Sequence, residues 1–379
     1  MRPSVLIAYK SLPRYRVDFF SGLRDRLAAD GVDLVLTYGQ PTSAERLKHD
    51  TAELEWAIKL RNRAVPIGGR EVIWQPCLRQ AGRADLVIVE QASRLLVNYA
   101  LLLMQQLGRT KVAFWGHGAN LQRHRAHGGA ERLKRLVSRF PHWWFAYSDD
   151  TKARVAQLGF PESRITVVQN AIDTRKLAAG RKSNGAAELA EFRARHALGD
   201  GPVGVFVGGL YAEKRLRFLF EACDRVVERV PDFRLVVIGD GPDATVVRDA
   251  CASRPWSRAL GPQFGREKVL ALSSARTLLM PGLVGLAVLD SFGLDAPLLT
   301  TAVDGHGPEI AYLEDGVNGL IVDSFHDAGA YAHAIVELLT DDRLHARLVA
   351  GCREAASRYT IEAMIERFAQ GVHRALEAA

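Results

Sequence analysis

The sequence predicts an α/β protein built on two doubly wound parallel sheets, and three observations carry that prediction. Short β-rich runs alternate with helix-length segments along the whole chain. Several runs, such as LVIVE at 86–90 and ITVVQ at 165–169, are apolar without a break, as strands buried on both faces require. A chain of 379 residues is also too long for one compact core, and the polar patch Gly180-Arg181-Lys182-Ser183-Asn184-Gly185 falls between two such series.

In order, the first series places strands at 5–9, 33–38, 71–75, 85–90, 111–116, 143–148 and 165–169, with helices such as 16–28 and 151–158 between them. The most apolar helical stretch, 95–107, is too short to cross a bilayer and carries Asn98, Gln105 and Gln106. The second series places strands at 203–207, 234–238, 276–280, 298–300 and 320–322. Helices at 327–340, 343–358 and 361–378 close the chain. Open α/β sheets hold ligands outside the carboxyl ends of their strands, so chemistry is expected in a cleft between the two domains.

Composition excludes several classes. Hydrophobic content of 48% and charged content of 25% are ordinary for a globular protein. A net charge of +7 favours phosphate-bearing ligands or anionic surfaces without the concentrated charge of a nucleic-acid binder. Cys77, Cys223, Cys251 and Cys352 are scattered without metal-ligand spacing, which suits buried thiols in a reducing compartment. The N-terminus enters a strand at once, with no apolar leader, and the expectation is a cytoplasmic protein. No GxxxxGK[ST] or GxGxxG opens a βα turn, so P-loop and dinucleotide readings are poor.

The stretch 280–297 (MPGLVGLAVLDSFGLDAP) organises the second half. A strand tail turns on Pro281 and Gly282, Gly285 follows, and a helix is expected over 286–294. Unpaired N–H groups near Gly285 and Leu286 would favour an anion, and Asp290, one turn in, would accept from sugar hydroxyls. Three other loops follow strands. Gly208-Gly209-Leu210-Tyr211-Ala212-Glu213-Lys214-Arg215 offers close backbone approach and two cations for a diphosphate, or is a surface loop opening a helix. Gly239-Asp240-Gly241-Pro242 is a ligand turn or simply a tight turn. The Gly261, Gln263 and Phe264 turn would grip a planar base.

In the first half, His117 stands between Gly116 and Gly118 at a strand end, free to reach into a cleft or to serve a turn. The first strand ends in YKSLPRYR (9–16), whose cations would meet an anionic acceptor or be solvated. The basic segment 122–139, with Arg123, Arg125, Arg132, Lys134, Arg135 and Arg139 followed by Phe140, Trp143 and Trp144, suits an anionic membrane surface or a solvated helical face.

Four stretches stand in order along the chain: VVQNAIDT (167–174), FVGGLYAEKR (206–215), VVIGDGP (236–242) and PEIAYLEDGVNGLIV (308–322). Together they resemble the retaining glycosyltransferases of the GT-B fold, family four. The resemblance implies two Rossmann-like domains facing each other across a cleft. An acceptor-binding domain would span 1–173, a linker region 174–200 and a donor-binding domain 201–360. A helix at 361–379 would pack back on the first domain. It also implies sugar transfer from a nucleoside-diphosphate sugar to a glycan, lipid-linked or small-molecule hydroxyl, with retained configuration and no metal or cofactor.

The family's paired acids align with Gly282 and Asp290, so the first, which holds donor-sugar hydroxyls, is missing. Gly209 replaces an Arg, and Arg215 stands where Gly is usual. Lys214 is left as the matched diphosphate cation, and His117 matches a family His near the donor sugar. A nucleotide-binding relative without transfer, or a sugar-nucleotide epimerase or hydrolase, is the alternative that these departures leave open. Peripheral contact with the inner membrane face also stays open.

Overall fold

The structure is a computed structural model that describes residues 2–42, 50–67, 70–118 and 137–379. The chain divides into two units. One runs to Ile172 and takes back Ile361–Ala379, and the other is Asp173–Thr360. Most of the basic segment (122–136), with Ala119 and Asn120, lies outside the described residues.

The first unit holds strands β1 (Ser4–Ser11), β2 (Asp33–Gly39), β3 (Ile58–Lys59), β4 (Arg63–Ile67), β5 (Arg70–Trp74), β6 (Leu86–Glu90), β7 (Lys111–Gly116), β8 (Trp143–Ala146) and β9 (Ile165–Val167). Seven of them form a sheet in the order β3-β2-β1-β6-β7-β8-β9, and every neighbouring pair is parallel. β4 and β5 form a separate antiparallel hairpin, which the alternation of runs did not suggest.

Residues of β1 alternate between two cores, as a period of two demands. Val5, Ile7 and Tyr9 face helices Val17–Ala29 and Ile361–Glu377, while Leu6 and Ala8 face helices Val97–Gln106 and Asp149–Gln157. The closing helix presents Ile361, Met364, Phe368, Val372 and Ala375 on one face, all buried. Phe368 stacks on Phe145 at 4.3 Å and meets Phe19 and Trp115 edge-on. Gly371 lets the helix lie close to the sheet, because a Cβ there would come within 2.6 Å of Phe145.

The second unit contains β10 (Val203–Val207), β11 (Arg234–Ile238), β12 (Ser257–Gly261), β13 (Thr277–Met280), β14 (Leu298–Thr301) and β15 (Gly319–Val322). Their order is β12-β11-β10-β13-β14-β15, all parallel, so the winding reverses between β10 and β13. Helices Leu216–Arg229 and Ala328–Thr340 cover one part of this sheet. Tyr331 on the latter is buried and donates its hydroxyl to the Leu299 carbonyl at 2.9 Å.

The segment 174–200, which holds the polar patch 180–185, belongs to the second unit. It forms helices Thr174–Ser183 and Ala186–Arg195. The Asp173 carboxylate caps the first by accepting from the Lys176 N–H at 2.8 Å. Gly180 packs on Val269, Phe192 is buried, and Arg193 donates to the carbonyls of Gly199 and Gly201. Gly180 lies within the first of these helices without breaking it. Of the thiols, Cys77, Cys223 and Cys352 are buried, and burial pushes Cys77 up to about 11 and Cys352 up to about 12.

Candidate functional site

In the second unit the loops after β10, β11 and β13 meet at the point where the strand order reverses. Gly239 and Gly241 hold φ of 146° and 153°. A Cβ on Gly239 would lie 1.8 Å from the Gly208 carbonyl oxygen, and one on Gly241 would lie 2.4 Å from that of Leu210. The glycine turn after β11 therefore lets two backbones touch, and Gly208 and Leu210 donate to the carbonyls of Ile238 and Asp240. Gly208 lies open above this floor. Its own Cβ position is 3.9 Å from Lys214 Cε and 4.0 Å from Lys214 Nζ.

Lys214 ends a short 3-10 turn, Ala212–Lys214, and is buried. Its ammonium donates to the Leu283 carbonyl and lies 5.4 Å from the Tyr211 ring. Arg215 follows with φ 56° and ψ 42°, the left-handed region that explains the family's glycine at this position. Its guanidinium makes up for the strain by donating to the Pro281 carbonyl at 3.2 Å and Thr301 Oγ1 at 3.4 Å, and it lies 4.2 Å from the Phe218 ring.

Gly282 has a local cause. A Cβ there would sit 2.2 Å from the Glu213 carbonyl oxygen and 2.7 Å from Lys214 Cα, and Leu283 N–H donates to that same oxygen at 3.0 Å. The loop that carries Lys214 occupies the space an acid would need.

His306, which sequence reasoning missed, locks the next residues. Val284 N–H donates to His306 Nδ1 at 2.9 Å, and His306 Nε2 reaches the Thr301 carbonyl at 2.9 Å, so the neutral ring carries its proton on Nε2. Burial, together with nearby Lys214, lowers its pKa. Gly307 N–H then donates to the Val284 carbonyl at 2.6 Å, and buried Glu309 sets its carboxylate 3.6 Å from the Cβ position of Gly285. The available signal was another His between two glycines, in DGHGPE.

Gly285 and Leu286 are half-buried and precede the helix Ala287–Gly293. Asp290 on that helix is buried, and Lys268 Nζ bonds both its oxygens at 2.7 and 2.9 Å. This ion pair was also missed, because Lys268 comes from a different helix, Gly265–Ser273. Gly261 ends β12, and its carbonyl accepts from Gly239 N–H at 3.0 Å, while Gln263 and Phe264 follow that strand. There Gln263 Nε2 donates to the Leu260 carbonyl at 2.8 Å and Phe264 is 40% exposed.

The structure thus brings together Gly208, Gly209, Lys214, Arg215, Gly239, Gly282 and Gly285, joins Gly261 to them through Gly239 N–H, and leaves Gln263 and Phe264 beyond β12. His117 belongs to the other unit. It follows β7, is exposed, and its ring lies 4.6 Å from that of Tyr147.

The fold and this loop cluster define a doubly wound α/β protein whose loops gather where the strand order reverses. Residues 17–176 match the family described as Glycosyltransferase Family 4, and residues 201–341 match Glycosyl transferases group 1. The chain belongs to these glycosyltransferases, and its fold is GT-B.

Among curated relatives, alpha-D-kanosaminyltransferase of Streptomyces kanamyceticus is 26% identical over 50% of this chain and 49% of its own length. Phosphatidyl-myo-inositol mannosyltransferase of Mycobacterium leprae is 29% identical over 40% of this chain and 41% of its own. The chain spans about half the length of the curated relatives it matches. Among solved structures, Anabaena Alr3699/HepE in complex with UDP-glucose superposes with a TM-score of 0.73 at 13% identity, over 98% of this chain and 99% of that one. A glycosyltransferase from Rickettsia africae gives 0.74 at 12%, over all of both chains. At these identities the likeness shows the fold.

Proposed function

We propose that the chain is a retaining glycosyltransferase taking its sugar from a nucleoside-diphosphate donor, with no metal or cofactor besides that substrate. The observation that carries this reading is the loop 208–215, where a buried lysine stands over an open glycine at the reversal point of the sheet. A diphosphate placed there takes the Lys214 ammonium in exchange for the Leu283 carbonyl, and Arg215 stands beside it. Each charge-assisted bond would contribute about 1.5–3 kcal/mol. The UDP-glucose in the Anabaena structure supports a nucleotide sugar as the donor.

In the reaction we assign, the acceptor hydroxyl oxygen attacks the anomeric carbon from the face that the diphosphate leaves. The bond from that carbon to the phosphate oxygen breaks, and the hydroxyl proton passes to the departing phosphate. Lys214 and Arg215 stabilise the charge that develops there. Asp290 keeps lone pairs for the ribose beyond those Lys268 uses. Gly261, Gln263 and Phe264 flank the base, and His117 serves the transferred sugar. With no room for an acid at Gly282, a deoxy sugar, or a sugar held by other groups, suits the site. The acceptor is a hydroxyl of a glycan, lipid-linked or small molecule.

A cytoplasmic chain resting on an anionic membrane face fits one further observation. Leu96, Leu103, Leu107 and Phe140 are exposed along and beside helix Val97–Gln106, close in sequence to the basic segment. Among the described residues no helix is long and apolar enough to cross a membrane.

The test is to incubate the protein with UDP-glucose and GDP-mannose, with and without candidate acceptors, and to follow release of the nucleoside diphosphate. Acceptor-dependent release with retained configuration is expected. Binding without release would make the chain a non-catalytic relative. Release or sugar isomerisation indifferent to every acceptor would make it a hydrolase or epimerase.

A further inference from the structure

The cations that close β1 are not absorbed by that reading. Arg14 is exposed, but Arg16 is 1% exposed and lies in an aromatic box. Its guanidinium carbon is 4.7 Å from the Trp115 ring, 5.0 Å from Tyr15, 5.6 Å from Phe19 and 5.8 Å from Tyr147. Nη1 reaches Met364 Sδ at 3.8 Å, and Nε is buried without a hydrogen-bond partner. Tyr9 hydrogen-bonds to the guanidinium and, with Tyr15 and Tyr147, acts on its charge, and no carboxylate among the described residues bonds to it.

Guanidinium stays charged at any ordinary pH. Keeping such a charge buried without an acid is costly, and cation–π contact returns only part of that cost. An apolar side chain of similar length would hold the fold as well. Of the four rings around the charge, Trp115 is the nearest and Tyr147 the farthest, and these two lie 5.7 Å apart. Trp115 is two residues before His117, and Tyr147 is the ring on which His117 lies.

We propose that Arg16 is a positioning residue for His117: its guanidinium clamps Trp115 and Tyr147, and these two rings fix the loop 116–118 and the imidazole it exposes. The clamp is a feature of the first unit alone, and only its effect on transfer rests on the function proposed above.

The experiment compares wild type with Arg16→Met by hydrogen exchange and melting. Exchange at the amides of 116–118 is expected to speed up about tenfold or more. The melting temperature should stay level or rise, because a buried charge with no acid partner has been removed. Unchanged exchange at those amides, or faster exchange throughout the unit with a lower melting temperature, would overturn the clamp. If Arg16→Met does not fold, Arg16→Lys, which keeps the charge and loses the plane, must show the same local acceleration, and its absence overturns the clamp equally.

Release of nucleoside diphosphate from UDP-glucose and GDP-mannose then reads the coupling. Arg16→Met should lower kcat about tenfold in the wild-type background and less than about twofold in His117→Ala. Equal losses in both backgrounds contradict positioning through His117. A His117→Ala protein with undiminished kcat would remove His117 from the proposed function, while the exchange result still decides the clamp.

Discussion

The two sheets share a winding but close their strand ends by different means. After β10, β11 and β13, loops meet backbone to backbone, spaced by Gly239, Gly241 and Gly282 and stitched by hydrogen bonds between main-chain groups. After β1 and β7 the contact is made by side chains, with Tyr9, Phe19, Trp115 and Tyr147 around one guanidinium. A backbone lock tolerates almost no change in sequence, because a single Cβ prevents closure. An aromatic lock can shift and repack, and its specific element is a charge instead of a shape.

Breaking the backbone lock should have the largest effect. Gly239→Ala places a methyl group 1.8 Å from a carbonyl oxygen at φ 146°, and strain and overpacking together should cost about 3–5 kcal/mol. Urea unfolding followed by a probe in the second unit would measure it, and a loss under about 1 kcal/mol would mean that the loops part easily.

Gly282→Glu, which restores the acid the family usually carries, should cost about 2–4 kcal/mol by pushing away the Glu213 carbonyl, with no gain in donor affinity. A variant that folds normally and binds donor more tightly would show that the loop yields.

The smallest effect concerns His306. Replacing it by Gln should cost about 1–2 kcal/mol at pH 7.5 by disturbing two hydrogen bonds to the main chain. The sign of its pH dependence follows from its lowered folded pKa. Above about pH 6.5 both folded and unfolded rings are neutral and the contribution is complete. It fades as pH falls toward and through the lower folded value, where protonated Nδ1 can no longer accept from Val284. Wild type and His306→Gln should therefore converge in stability at acid pH, and a gap that widens instead would contradict the assignment.

The same comparison explains what was readable from sequence. Strands such as LVIVE and RLVVI announce themselves because burial on both faces leaves an unbroken apolar run. The glycine motifs around Gly208 and Gly239 are visible because a backbone lock requires glycine wherever two chains touch. The helices over 174–195 were hidden, since the polar, glycine-bearing patch 180–185 has the composition of a loop although its first residues continue a helix. The Lys268–Asp290 pair and the His306 bridge join residues 22 apart that only folding brings together, so neither leaves a local pattern. Arg16 read as one of several cations that would meet an anionic acceptor or be solvated, because a side-chain box has no fixed spacing along the chain.

The most direct test of the central claim, that the loop 208–215 holds a diphosphate, is calorimetry with UDP, GDP, TDP, ADP and CMP on wild type and Lys214→Ala. One nucleoside diphosphate should bind wild type and lose about tenfold or more in affinity in the variant, since a charge-assisted bond is removed. Equal affinity in both proteins, or preference for CMP over every diphosphate, would contradict the assignment.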